Sequence, residues 1–119
     1  MKVRRGEHRR ETAEVKIHVE TELDGTGSFE GSSGTNFMDH MLRTLAKHSG
    51  MNIKVGAEGD LKHHIIEDLA IAIGKAVQSA LGEKKGIARF GYAYVPMDDS
   101  LARAVIDLGG RAYSRLELG

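Results

Sequence analysis

The stretch HHIIEDLAIAIGKAVQSAL, residues 63–81, decides the fold, and Gly82 follows it. It carries Ile65, Ile66, Leu69, Ala72, Ile73, Ala76, Val77, Ala80 and Leu81. They recur at steps of three and four, the spacing that puts side chains on one face of a helix. Gly82 stands where a helix commonly stops. Before this helix, MNIKVGAE (51–58) alternates through Ile53, Val55 and Ala57, the period of two of a half-buried strand. Before that strand, FMDHMLRTLAKH (37–48) aligns Phe37, Met41, Leu42, Leu45 and Ala46 as a second helical stripe. Asn36 is placed to cap that helix, Asp39 complements the dipole in its first turn, and Gly50 ends it.

Toward the N-terminus, TAEVKIHVETE (12–22) puts Val15, Ile17 and Val19 on one face, with Glu14, Lys16, His18 and Glu20 on the other. Asp24-Gly25 in the following turn signals a hairpin, so a strand through Ser28-Phe29-Glu30 is expected to pair with the first. After Arg89 strands return as FGYAYV, a break at Pro96-Met97-Asp98-Asp99, LARAVIDL and RAYSRLEL. The expected class is α+β, a two-layer sandwich whose four-stranded, mostly antiparallel sheet is backed by two helices. No helix follows the last strands to cover them. An uncovered sheet invites association, so the expectation is a fragment of a longer protein or a chain covered by a partner.

Composition narrows the function. The 119 residues suit one domain, and 40% are hydrophobic, enough for a core. Seventeen basic residues balance 17 acidic ones, which argues against a general nucleic-acid binder. The basic exception, Lys2, Arg4, Arg5, Arg9 and Arg10, reads as a solvated strand edge. The absence of cysteine excludes disulfides and thiolate metal sites. No apolar run reaches the roughly 18 residues of a membrane span. A cytoplasmic location is the expectation.

The six histidines cluster unevenly. His63 and His64 lie four and three residues before Glu67, spacings that meet on one helical surface. The two imidazoles leave the helix about 100° apart, so they could serve two different metal ions, with the carboxylate joining one of them. Nitrogen and oxygen donors without sulfur suit Mn, Fe, Co, Ni or Zn. The same string on a helix surface is also ordinary polar decoration, and alone the two readings weigh equally. Asp60 either orients an imidazole or caps the helix. His48 reads as a helix-end charge, and His8 and His18 have no evident partner. Arg89, before Phe90-Gly91, and Arg111, after Gly109-Gly110, have the planar fork that suits a phosphate, although most arginines are surface charges.

Several strings occur together in order: Arg10-Glu11-Thr12-Ala13-Glu14, Leu23-Asp24-Gly25-Thr26-Gly27, Phe37-Met38-Asp39-His40-Met41-Leu42, Gly59-Asp60, His63-His64-Ile65-Ile66-Glu67-Asp68, Ile71 with Gly74, Arg89-Phe90-Gly91, Pro96-Met97-Asp98-Asp99 and Asp107 through Arg111. This set resembles the imidazoleglycerol-phosphate dehydratase family from about residue 4 to the end. The resemblance implies two similar halves, with residues 1–87 as the first and 88–119 as the opening strands of a second, incomplete one. It implies a lyase of histidine biosynthesis that turns imidazoleglycerol phosphate, a small phosphate ester, into imidazole acetol phosphate. It also implies 24 subunits and two manganese ions per site in the family. By matching position His40, His63, His64 and Glu67 would be metal ligands, and Glu14 and Glu67 the catalytic carboxylates. Glu14, Arg89 and Arg111 would bind substrate. The resemblance departs in two places. The segment between Gly59 and His63 is short, and no histidine follows His64, so the family's second histidine pair is missing.

A non-catalytic metal-binding or assembly fragment of that enzyme is the competing reading. A nucleic-acid-binding α+β domain is a third, disfavoured by neutral charge and few aromatics.

Overall fold

The computed structural model describes residues 3–119, so Lys2 of the basic cluster lies outside the described residues. Two compact units divide the chain, Met1–Lys84 and Lys85–Gly119.

The first unit contains β1 (Arg5–Glu11), β2 (Val15–Glu22), β3 (Phe29–Ser32), α1 (Asn36–Ser49), β4 (Asn52–Gly59) and α2 (Lys62–Leu81). The strands form one sheet in the order β1-β2-β4-β3. Alternation in β2 and β4 sends Val15, Ile17, Val19, Ile53 and Val55 to one face, each at most 3% exposed. The helices cover that face, α2 over β1 and β2 and α1 over β3 and β4. From α2 come Ile65, Leu69, Ala72, Ala76 and Ala80, and from α1 Leu42 and Ala46. The alanines at every fourth position of α2 let it lie close on the sheet. At Gly6 of β1 an added Cβ would overlap the Ala76 carbonyl oxygen and stand 2.7 Å from the Ala80 nitrogen.

Three local expectations are corrected. The Asp24-Gly25 turn closes no hairpin. β3 pairs with β4, in parallel, and β4 inserts between β2 and β3. A turn dipeptide constrains only its own backbone, whereas the Asn52 side chain holds this loop by accepting hydrogen bonds from the Thr26 and Ser28 amides. The residue flanking α1 as its cap is Thr35, not Asn36, and its side chain makes no capping bond. The apolar stripe of α1 is only partly buried. Phe37, Met41 and Leu45 are exposed, and Met38 packs against the core instead.

The second unit holds an antiparallel hairpin of β5 (Phe90–Met97) and β6 (Ser100–Asp107), turning at Asp98-Asp99 with Asp98 in the left-handed region at φ 53°. Every residue of the two strands is exposed. Residues 111–118, expected as a strand, form none: among the described residues the ladder of this unit holds only β5 and β6.

Candidate metal and substrate site

The site is built where the β1–β2 turn meets the entry to α2. Thr12 makes the turn. Its hydroxyl accepts from the amides of Glu14 and Val15, both at 3.1 Å, while its own amide bonds the Val15 carbonyl at 2.9 Å. Two residues earlier, Arg10 donates from Nε to Asp68 on α2 at 2.9 Å. The Asp60 amide bonds the Glu14 carbonyl at 3.0 Å, which ties the end of β4 to the turn. Gly59 permits this approach, since a Cβ there would stand 2.9 Å from the Glu14 oxygen and from the Ile65 and Val15 side chains. The alternating Arg10, Thr12 and Glu14 thus act as clamp, turn-former and presented carboxylate.

Asp60 is not the helix cap, a place taken by Leu61. Its Oδ1 accepts from the Leu61 amide at 2.7 Å and meets His64 Nδ1 at 2.8 Å. Glu14 Oε2 lies 3.4 Å from the same nitrogen. The bond to Asp60 is the largest influence on His64 and raises its pKa. Desolvation opposes this, and the charges of Glu14, Asp60 and Glu67 reinforce it. The His64 bond in turn lowers the Asp60 pKa. With Nδ1 held by a carboxylate, Nε2 is the nitrogen left to ligate. This is the carboxylate–imidazole arrangement that orients metal-bound histidines, so His64 is suited to be one ligand of a divalent ion.

His63 is exposed and does not diverge from His64. The ring centroids are 4.2 Å apart with planes at 62°. The helical step of about 100° governs where the Cβ atoms point. Rotation about the side-chain bonds brings the rings back together. Glu67 is exposed on the same helix, and His40 is exposed on α1. His40, His63, His64 and Glu67 do not form a compact donor group. Among the described residues the group of three whose ligand atoms all lie within 4.8 Å of one another is Glu7, His18 and Glu20.

In the second unit Arg89 donates to Asp107 from Nε at 2.7 Å and from Nη2 at 3.2 Å. A Cβ on Gly109 would stand 2.7 Å from Arg89 Nη2, so that glycine makes room for the ion pair. Arg89, Arg103, Arg111 and Arg115 line one hollow. Arg115 is engaged by Glu117 at 2.7 Å, whereas Arg103 and Arg111 have no carboxylate partner among the described residues. Arg103 was not marked by sequence, because its place opposite Tyr94 depends on strand register.

The imidazoleglycerol-phosphate dehydratase family model matches residues 33–119. The chain belongs to this family. An imidazoleglycerol-phosphate dehydratase from Salinibacter ruber is 52% identical over 111 residues, covering 91% of this chain and 55% of the relative. One from Methanococcoides burtonii is 53% identical over 107 residues, covering 87% and 56%. The crystal structure of imidazoleglycerol-phosphate dehydratase from Staphylococcus aureus matches with a TM-score of 0.78 at 31% identity, covering 97% of this chain and 68% of that one. The Pyrococcus furiosus structure matches with the same TM-score at 34% identity, covering 94% and 60%. The chain therefore spans about half the length of the curated relatives it matches. No helix among the described residues is long and apolar enough to cross a membrane.

Proposed function

We propose that the chain carries the first part of a metal-dependent dehydratase centre that converts imidazoleglycerol phosphate to imidazole acetol phosphate in histidine biosynthesis. The observation that carries this is the Glu14–His64–Asp60 constellation, with His64 Nδ1 2.8 Å from Asp60 and 3.4 Å from Glu14. His40, His63, His64 and Glu67 are the residues that would hold manganese, two ions per site as the family resemblance implies, and a bound ion would supply Lewis acidity. Asp60 fixes the His64 ring so that Nε2 is presented. Glu14 is an exposed carboxylate, a suitable proton acceptor or donor for the substrate's diol, and Glu67 is the second carboxylate of the site. Arg89 keeps donor hydrogens on Nη1 after engaging Asp107, and Arg111 is uncommitted, so both can hold a phosphate. The setting is a cytoplasmic homo-oligomer.

One observation favours a second reading. The four proposed ligands form no compact donor group, so this chain would be a metal-holding or assembly part that needs donors from elsewhere. Turnover of imidazoleglycerol phosphate by the 119-residue chain with Mn²⁺ separates the two. Activity lost on chelation and in His64→Ala supports the dehydratase centre. A folded chain that binds Mn²⁺ without turnover moves the assignment to the second reading.

A further inference from the structure

The sheet face turned away from the helices holds a group that the proposed function leaves unused. Glu7 and Glu20 stand directly opposite each other on β1 and β2, and His18 lies two residues before Glu20 on the same face. Like charges opposite one another in an antiparallel pair repel. Yet both carboxylates turn toward one imidazole: His18 Nε2 is 3.0 Å from Glu7 Oε1 and 3.7 Å from Glu20 Oε1. That nitrogen is shielded from solvent and makes no hydrogen bond of acceptable angle, although the His18 side chain is 28% exposed. With a protonated ring the two contacts are ion pairs; with a neutral ring the nitrogen stands beside two carboxylate oxygens, the donor set of a divalent ion. One ligand atom from each of the three residues lies within 4.8 Å of the others, wider than the roughly 3.3–3.6 Å between ligands of a tetrahedral ion with bonds of about 2.0–2.2 Å, so small side-chain rotations would close the three on an ion.

We propose that Glu7, His18 and Glu20 form a second divalent-metal site, separate from the histidine pair on α2. One imidazole and two carboxylates suit a borderline ion such as Zn²⁺ or Co²⁺, which binds such donors more tightly than Mn²⁺. Binding would relieve the repulsion between the two glutamates. Arg9 is the competing cation, with Nε 3.3 Å from Glu7 Oε1, but its side chain is 70% exposed and free to withdraw. The site would join two neighbouring strands and so brace the edge of the sheet.

The test is Zn²⁺ titration by calorimetry of the 119-residue chain carrying His63→Ala and His64→Ala, which removes the imidazole donors on α2. One equivalent should still bind. Adding His18→Ala should abolish it, and Glu7→Gln or Glu20→Gln, which keep side-chain shape, should each weaken binding at least tenfold. Arg9→Ala should leave it unchanged or tighten it. No binding by the His63/His64 variant, or undiminished binding after His18→Ala and Glu7→Gln in folded protein, overturns the proposal.

Discussion

Replacing Gly6 by alanine tests how closely α2 lies on β1. The new methyl carbon would overlap the Ala76 carbonyl oxygen and stand 2.7 Å from the Ala80 nitrogen and 2.9 Å from the Ala76 carbonyl carbon. All three obstacles are helix backbone, so no side chain can swing aside and the helix must lift from the strand. Overpacking in a tight core costs about 1–3 kcal/mol, and an immovable backbone obstacle belongs at the upper end. Lower entropy of the unfolded chain offsets about 0.4–1 kcal/mol of this. The net loss should be about 2 kcal/mol, which in a unit of this size lowers the melting temperature by roughly 10 °C. Urea denaturation followed by far-UV circular dichroism reads it cleanly, because both helices lie in the first unit. Gly74→Ala is the opposite control. That position is exposed within α2 with nothing within 4 Å, so alanine should stabilise by about 0.5–1 kcal/mol. A Gly6→Ala protein as stable as the parent would refute the close seating of α2 on β1.

Other outcomes follow from the site. Asp60→Asn keeps the shape of the group that holds His64 but removes its charge. The His64 titration midpoint, followed by ring-proton NMR, should fall toward its ordinary value, and Mn²⁺ affinity should drop by about 10–100-fold. The Asp107 carboxylate is held below its ordinary pKa, first by the hydrogen bond from Arg89. Its contribution is therefore present above the ordinary carboxylate pKa and lost as pH falls through the depressed one. Carbon-detected titration should show the low midpoint, and Arg89→Ala should return it to the ordinary value.

The parts legible in the sequence are those set by near neighbours along the chain. α2 declares itself through twenty residues of helical spacing, and β2 through Val15, Ile17 and Val19. The Gly50 stop also follows from local chemistry, with the backbone at φ 79° and its amide bonded to the Ala46 carbonyl. What was misread depends on distant partners. The parallel pairing of β3 with β4 rests on a strand that comes more than twenty residues later, which the Asp24-Gly25 turn cannot foretell. Gly6 sits in a run of charged residues, where nothing announces a helix lying above it. The apolar stripe of α1 overstated its burial because spacing defines a face but not how much of it finds a neighbour. The site divides the same way. His63, His64, Glu67 and Asp60 lie on or beside one helix and could be grouped by spacing. The approach of Glu14 to His64 needed the Asp60–Glu14 backbone bond, and the partners of His18 needed the β1–β2 register.

The most direct test of the proposed centre is the NMR spectrum of the isotope-labelled 119-residue chain during addition of substoichiometric Mn²⁺. Paramagnetic broadening should begin at the first turn of α2, around His63, His64 and Glu67, and spread to Glu14, and it should vanish from those residues in the His63→Ala, His64→Ala protein. Unbroadened signals at the α2 entry, or unchanged broadening there in the double variant, would contradict the assignment of this turn as the metal-holding element.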